Sequence, residues 1–300
     1  MDYLEQIDKI MLNFISELGY EPINLMFSKI NSGKKLRSKL LLKITDINEK
    51  SLKLCAIIEL IHAASLLHDD VIDESDVRRG KPSINATFGS KNAIMLGDIL
   101  YSKGYFELSK FEPFIACKLS DAVSKLSIGE LMDVSMGEAF NEDKNAYMQM
   151  IYNKTAVLIE ATAQCAAFLQ GEDELKFGEY GRNLGLAFQI VDDILDVTQD
   201  SKTLGKPALN DYKEGKTTLP YIYLYEILDE KEKAILKSYF KKDLSDEQIF
   251  WIKDKFSEHK IIEKCAKDVK NLANSAIEAI KEYENLGLVE VIRSMTDREF

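Results

Sequence analysis

Proline is scarce in this chain. Four of the five prolines in its 300 residues, Pro22, Pro82, Pro113 and Pro207, stand in or beside polar stretches, as prolines do where the segments between them are helices. Pro220 reads as part of a helix's first turn. Cysteine is scarce too: Cys55, Cys117, Cys165 and Cys265 are far apart, with neither C-x-x-C nor zinc spacing, which leaves them as reduced core or surface residues. Positive charge is in deficit, and the net charge of -11 argues against nucleic acid as a partner, because phosphate backbones are held by a surplus of lysine and arginine. No uncharged apolar stretch reaches the roughly 18 to 20 residues of a spanning helix, since Glu59 and His62 interrupt the best candidate, so no membrane span is expected. The start, MDYLEQIDKI, is acidic and amphipathic and lacks the basic end and apolar run of a secretory signal, which makes the cytoplasm the default location. Alternating runs bounded by Asn-Gly or Asp-Gly turns are missing, so strands are not expected. No repeat and no Ser/Gly linker divides the chain, so residues 1–300 read as one domain.

What is present is helical. The composition, 46% hydrophobic and 30% charged, suffices for a sizeable core. Leu4, Ile7, Ile10, Met11 and Phe14 recur at three- and four-residue spacing, as do Leu158, Ile159, Thr162, Cys165, Ala166 and Leu169. Segments 54–68 and 184–197 are apolar nearly all round, the mark of helices buried on every side. An all-α fold of roughly a dozen helices follows. Its conspicuous polar loops, near 75–90 and 199–216, each directly follow an acidic helix end.

In HDDVID, Asp69 and Asp73 are four apart and share a helix face, with Asp70 beside them; QIVDDILD repeats the D-D-x-x-D spacing with Asp192, Asp193 and Asp196. Like charges at this spacing cost roughly 0.2–0.5 kcal/mol, and a helix C-terminus adds its own repulsion of anions. Both clusters extend the most buried-looking helices, where an uncompensated carboxylate is expensive, and a cation is the economical solution. Carboxylates with no Cys or His at ligand spacing make a hard oxygen site suited to Mg²⁺ bridging to a phosphorylated ligand. An EF-hand is excluded by its missing glycine and glutamate. Phosphates need cationic donors on their other side. DVRRGKP puts Arg78, Arg79 and Lys81 directly after the first cluster, and GKPALNDYKEGKTTLP puts Lys206, Lys213 and Lys216 after the second. NSGKKLRSKL brings Lys34, Lys35, Arg37 and Lys39 to a helix entrance.

Two acidic faces and three basic segments describe a cavity for two diphosphates, and on these residues the sequence resembles the trans-polyprenyl diphosphate synthases. The resemblance is carried by LLHDDVIDESDVRRGKP, by FQIVDDILDVTQD followed by GK and GKTTLP, and by GKKLR, ELIHAASL, the Gly97-Asp98 pair and KTA at 154–156. It implies a single large bundle of long antiparallel helices around a deep central cavity, usually a homodimer. It implies a head-to-tail condensation of isopentenyl diphosphate with an allylic diphosphate. The resemblance also implies about two or three Mg²⁺ ions, held from one wall by Asp69 and Asp73 with Asp70 supporting, and from the other by Asp192 and Asp196 with Asp193. Carried over by position, Lys34, Arg37, His62 and Arg79 match the isopentenyl diphosphate site. Arg78, Lys154, Thr155, Gln189, Lys206 and Lys216 match the allylic side, and Arg78 and Lys154 join the aspartates as catalytic groups. No side-chain nucleophile is implied, and the last proton is assigned to the departing diphosphate. His68 reads as orienting a neighbouring acid.

Positions four and five before the first aspartate, where bulky residues cap the hydrocarbon tunnel in this family, hold Ser65 and Ala64, so a product longer than C15 is expected. Ile57, Ile58 and Ile61 lie one and two turns further back, and Met132 and Met136 are further candidate floor residues. A helix of about 20 residues is ~30 Å long, comparable with a long prenyl chain. Octaprenyl diphosphate, for a quinone side chain, is the expected product, with a geranylgeranyl length as the alternative. Ser32 and Ser38 stand where the family usually has glycine and proline, and Leu209 and Tyr212 where it has glycine and leucine, which bears on the geometry of both basic loops. A terpene cyclase has a different second metal motif, and a non-catalytic subunit of a heteromeric synthase would show an eroded acidic motif; both motifs are intact here.

Overall fold

The computed structural model describes residues 2–31, 33–198 and 209–296. Its contacts gather into two compact units, Met1–Ser124 with Ala161–Gly178, and Lys125–Glu160 with Glu179–Phe300. No linker composition marks the boundary because three helices, α7 (Pro113–Met136), α9 (Val157–Gln170) and α10 (Glu174–Thr198), run through it unbroken.

The first unit is built on α4 (Glu49–Ile72), which packs against α1 (Tyr3–Ser16), α3 (Leu36–Ile44), α5 (Ile84–Phe88) and α6 (Ser90–Leu108), with the short α2 (Glu21–Phe27) beside α1. A capping box starts α4: the Asn48 side chain accepts from the Ser51 amide at 3.0 Å and the Ser51 hydroxyl accepts from the Asn48 amide at 2.9 Å. From Leu54 to Ile61 every residue of α4 is buried, as the all-round apolar pattern requires. Length and composition alone make α4 apolar enough to cross a bilayer, which the sequence reading did not allow for; 67% of that window is buried inside the protein, as in a core helix. The helix ends at Ile72, so Asp69 and Asp70 occupy its last turn and Asp73 caps it. On α1 the expected stripe is buried at Ile7, Met11 and Phe14 and half-buried at Leu4 and Ile10.

One expectation of the sequence fails just beyond α4. Strands β1 (Val77–Arg78) and β2 (Lys81–Pro82) form an antiparallel ladder pairing Val77 with Pro82 and Arg78 with Lys81. Their two-residue turn, Arg79-Gly80, has φ of 54° and 72°, the positive values of a tight hairpin turn, and Arg79 adopts one without being glycine or asparagine. That sequence carries no Asn-Gly or Asp-Gly signal.

The second unit holds α8 (Lys144–Ile151), a π-turn over Tyr152–Ala156, and, after α10, the short α11 (Asn210–Lys213), α12 (Leu219–Ile227), α13 (Glu230–Tyr239), α14 (Asp246–Glu258), α15 (Ile261–Ala279) and α16 (Leu286–Thr296). Sixteen α-helices are thus present among the described residues; those beyond the expected dozen include the very short α2, α5 and α11. Pro220 lies in the first turn of α12, as read from the sequence. The unit's core gathers Tyr147, Ile190, Ile194, Leu209, Tyr212 and Tyr221, with the Tyr212 and Tyr221 rings stacked at 4.1 Å. Met132 and Met136, the candidate floor residues, pack against this core. All four cysteines are free, Cys117 exposed and the rest buried.

Candidate active site

In the first unit the end of α4, the start of α3 and the hairpin place the predicted groups. Within the first acidic motif the three aspartates differ. Asp69 is half-buried and Asp73 exposed, while Asp70 is turned inward at 4% exposure. Its Oδ1 accepts from both Nε and Nη2 of Arg78 at 2.7 Å. Burial lifts the Asp70 carboxyl above its ordinary range even against the pull of Arg78. Asp70 therefore anchors an arginine, whereas Asp69 and Asp73 occupy the accessible side. The hairpin is tied down as well, since Arg79 Nη1 donates to the Asn31 carbonyl at 3.0 Å.

Around His62 the positive groups converge. Desolvation, and then the charges of Arg37, Arg79 and Arg78, hold its imidazole well below the ordinary 6.5, so His62 is neutral amid three arginines. Arg37 is itself lowered to about 10 by burial, with Glu59 pulling the other way, and among the described residues its buried Nε has no hydrogen-bond partner. Glu59 fixes the start of α3: its Oε1 accepts from the Ser38 amide at 3.3 Å and from the Ser38 hydroxyl at 2.6 Å. A proline at position 38 would lack both donors, so Ser38 gives this chain a bond that the usual residue does not. Lys34 is exposed, and Lys35 turns away to Asp8 and the Leu4 carbonyl. His68 does not orient an acid of the motif; its Nε2 lies 3.2 Å from the Ile94 carbonyl and 3.4 Å from Asp98 Oδ1 on α6. Ala64 is fully buried, and the Ser65 hydroxyl donates to the His62 carbonyl.

The second unit brings together Lys154, Thr155, Gln189 and the second acidic motif. Asp192 is exposed, and Asp193 and Asp196 are both 2% exposed. Asp193 accepts from the Tyr147 hydroxyl and from Gln189 Nε2, and burial, then the charge of Asp211, pushes its carboxyl well above the ordinary range. Asp196 Oδ2 accepts from the Asp211 amide at 3.2 Å, and its carbonyl accepts from the Leu209 amide, so this residue shapes the turn that leads into Lys216. Leu209 takes the left-handed φ of 59° and is fully buried, meeting without glycine the backbone demand that the sequence flagged. Lys154 Nζ spans Glu130 at 2.9 Å and Asp133 at 2.5 Å, and Lys216 Nζ lies 3.2 Å from Glu214. Lys206 lies outside the described residues.

Tyr147, Glu59, Glu130 and Asp133 were not predicted. Tyr147 stands seven residues before Lys154, and no spacing in the sequence marks it as a partner of Asp193. The donors in the two motifs are carboxylate oxygens, and among the described residues no three His, Cys, Asp or Glu side chains converge into a protein-only metal cage. This donor set fits Mg²⁺, which keeps waters and substrate phosphates in its coordination sphere.

The two units are all-helical among the described residues apart from the short hairpin, one carrying an acidic helix end beside arginines that surround a neutral histidine and the other a second acidic helix end. Residues 20–254 match the family described as polyprenyl synthetase. Octaprenyl diphosphate synthase of Escherichia coli (strain K12) is 36% identical over 228 residues, 73% of this chain and 68% of that protein. Short chain isoprenyl diphosphate synthase of Methanocaldococcus jannaschii is 35% identical over 263 residues, 82% of this chain and 79% of that one. The crystal structure of octaprenyl pyrophosphate synthase from Helicobacter pylori superposes with a TM-score of 0.94 at 48% identity, covering 99% of both chains. The chain belongs to the polyprenyl synthetase family and is a prenyltransferase with the all-α isoprenoid synthase fold.

Proposed function

We propose that this prenyltransferase condenses isopentenyl diphosphate head-to-tail with an allylic diphosphate, depends on Mg²⁺, and makes a linear trans-polyprenyl diphosphate of octaprenyl length for a quinone side chain. The observation that carries the substrate class is the convergence of Arg37, Arg78 and Arg79 on His62, with a buried Arg37 Nε that has no hydrogen-bond partner among the described residues. Such a donor is costly to bury unless a ligand meets it, and arginine's planar fork suits diphosphate. The names of the relatives support the long product: two of those compared are octaprenyl synthases. Small residues at Ala64 and Ser65 point the same way.

Lys34, Arg37, His62 and Arg79 hold the isopentenyl diphosphate. His62 stays neutral, so it donates a hydrogen bond without adding charge. Arg78, Lys154, Thr155, Gln189, Lys206 and Lys216 hold the allylic diphosphate. Asp69, Asp73, Asp192 and Asp196 hold about two or three Mg²⁺ ions, whose chemistry, when bound, is to stabilise the negative charge of the leaving diphosphate. Asp70 and Asp193 act from behind, keeping Arg78 and the end of α10 in place. As the allylic carbon–oxygen bond breaks, Arg78, Lys154 and Lys216 hold the oxygens on which charge develops, where preorganised donors lower the barrier most. The alkene of isopentenyl diphosphate attacks the allylic carbon, and the proton lost from the new chain leaves with the diphosphate. The chain acts as a single polyprenyl synthase domain over residues 1–300, as a homodimer in the cytoplasm. Exposed Ile128, Leu131 and Val134 on α7, at three-residue spacing, are the apolar surface a second copy would cover.

The test is to incubate the pure protein with farnesyl diphosphate, labelled isopentenyl diphosphate and Mg²⁺, then to resolve the dephosphorylated products by length. Linear products of octaprenyl size are expected. A geranylgeranyl-sized product would favour the shorter-chain reading, which the similarity to a short chain synthase keeps in view. No incorporation without a second polypeptide would favour a subunit of a heteromeric synthase.

A further inference from the structure

Tyr147 has no place in the site read from the sequence, yet it sits at the end of a continuous path of hydrogen bonds. Its side chain is fully buried, and its hydroxyl donates to Asp193 Oδ2. The other oxygen, Oδ1, accepts from Gln189 Nε2 at 3.0 Å, and Gln189 Oε1 accepts from the Thr155 hydroxyl at 2.8 Å. Four side chains from three elements, α8, the π-turn and α10, are thereby joined, and both carboxylate oxygens of Asp193 are used inside the protein.

The backbone enforces the same register. A Cβ on Gly129 of α7 would stand 2.3 Å from the Lys154 nitrogen and 2.6 Å from the Asn153 carbonyl carbon, and one on Gly185 of α10 would stand 2.5 Å from Ala156 Cα. Only glycine allows two helices to press this close to the π-turn, whose wider winding aims Lys154 and Thr155. Lys154, held by Glu130 and Asp133, and Thr155, held by Gln189, are neighbours on that turn.

We propose that Tyr147 is a positioning residue for the second aspartate motif, fixing the end of α10 through Asp193 and, through Gln189 and Thr155, locking that motif in register with the turn that carries Lys154. The inference rests on the reading of Asp192 and Asp196 as Mg²⁺ ligands. It requires the hydroxyl, not the ring, because the ring's packing is shared by phenylalanine.

The experiment compares full-length Tyr147→Phe with the unaltered protein by two readouts. One is the Mg²⁺ concentration giving half of the thermal shift in the presence of inorganic diphosphate; the other is steady-state kinetics with farnesyl and isopentenyl diphosphates. Outer partners of metal-holding groups change metal affinity by roughly 10- to 100-fold, so the half-saturating Mg²⁺ and the allylic KM should each rise about tenfold. The KM for isopentenyl diphosphate, assigned to α3, α4 and the hairpin, should stay within about twofold on the same ground. Unaltered Mg²⁺ and allylic values in Tyr147→Phe overturn the proposal. Asp192→Asn, run in parallel, separates the two ideas: if it abolishes the Mg²⁺ response while Tyr147→Phe leaves it intact, only the role of Tyr147 falls. If Asp192→Asn keeps the full Mg²⁺ response, the metal reading falls and takes the proposal with it. Should Tyr147→Phe fail to fold, Thr155→Val decides. A rise in both half-saturating Mg²⁺ and allylic KM supports the relay, whereas a rise in allylic KM alone, or in neither, overturns it.

Discussion

Arg37 concentrates the electrostatics of the first unit in one side chain. Its buried Nε has no partner among the described residues, so a lysine there, with no fork, should lose a charge-assisted contact of about 1.5–3 kcal/mol and raise the KM for isopentenyl diphosphate by about tenfold or more. Steady-state kinetics of Arg37→Lys checks this, and an unchanged KM would remove Arg37 from the substrate site. For Asp69→Ala or Asp192→Ala, turnover should fall by roughly 10²–10³, the scale of a lost transition-state stabiliser, with circular dichroism unchanged; normal turnover in either refutes the metal assignment. His62 makes a prediction about pH. Its folded pKa is depressed below the ordinary 6.5, so between those two values the unfolded chain binds more protons than the folded one. The stabilisation from neutral His62 is complete above 6.5 and is lost as pH falls below it, with a slope of at most about 1.4 kcal/mol per pH unit. Urea unfolding from pH 7 to pH 5 should therefore show a shallower loss of stability in His62→Gln than in the unaltered protein.

At the scale of elements, α4 and the turn before α11 carry the informative features. Ala64 is fully buried on α4, about two and a half turns before the acidic cap, and Ala64→Tyr should shorten the prenyl product, read by product length. An unchanged product would mean that the hydrocarbon chain runs elsewhere. At Leu209 two effects of opposite sign meet. The left-handed backbone costs a non-glycine residue about 1–2 kcal/mol, while burying the leucine side chain contributes roughly 1.5–3 kcal/mol. Burial is the larger, so Leu209→Gly should destabilise the protein by about 1 kcal/mol in urea unfolding. A more stable variant would show that backbone strain dominates. The hairpin at Arg78–Lys81 teaches the same lesson, because tertiary anchoring through Asp70 and Asn31 holds a turn that local sequence does not signal.

For the whole molecule, the helical class and the two acidic helix ends were legible because both are local: a period of 3.6 residues and a spacing of four need no knowledge of distant neighbours. The hairpin after α4 was not legible, since its turn carries no Asn-Gly or Asp-Gly signal and is held by contacts from distant segments. Association belongs to this scale as well. Sedimentation should give twice the mass of one chain, and Leu131→Glu, placed on the exposed apolar face of α7, should shift it toward a single chain; a monomeric unaltered protein would remove the homodimer from the reading. By itself the sequence determined the all-α class, the position of both D-D-x-x-D motifs at helix ends and the basic segments beside them. Only the tertiary structure decided that Asp70 and Asp193 face inward, that Glu59 holds Ser38, and that Tyr147 reaches Asp193. Burial and hydrogen-bond partners depend on what distant segments bring alongside, and no local spacing encodes that.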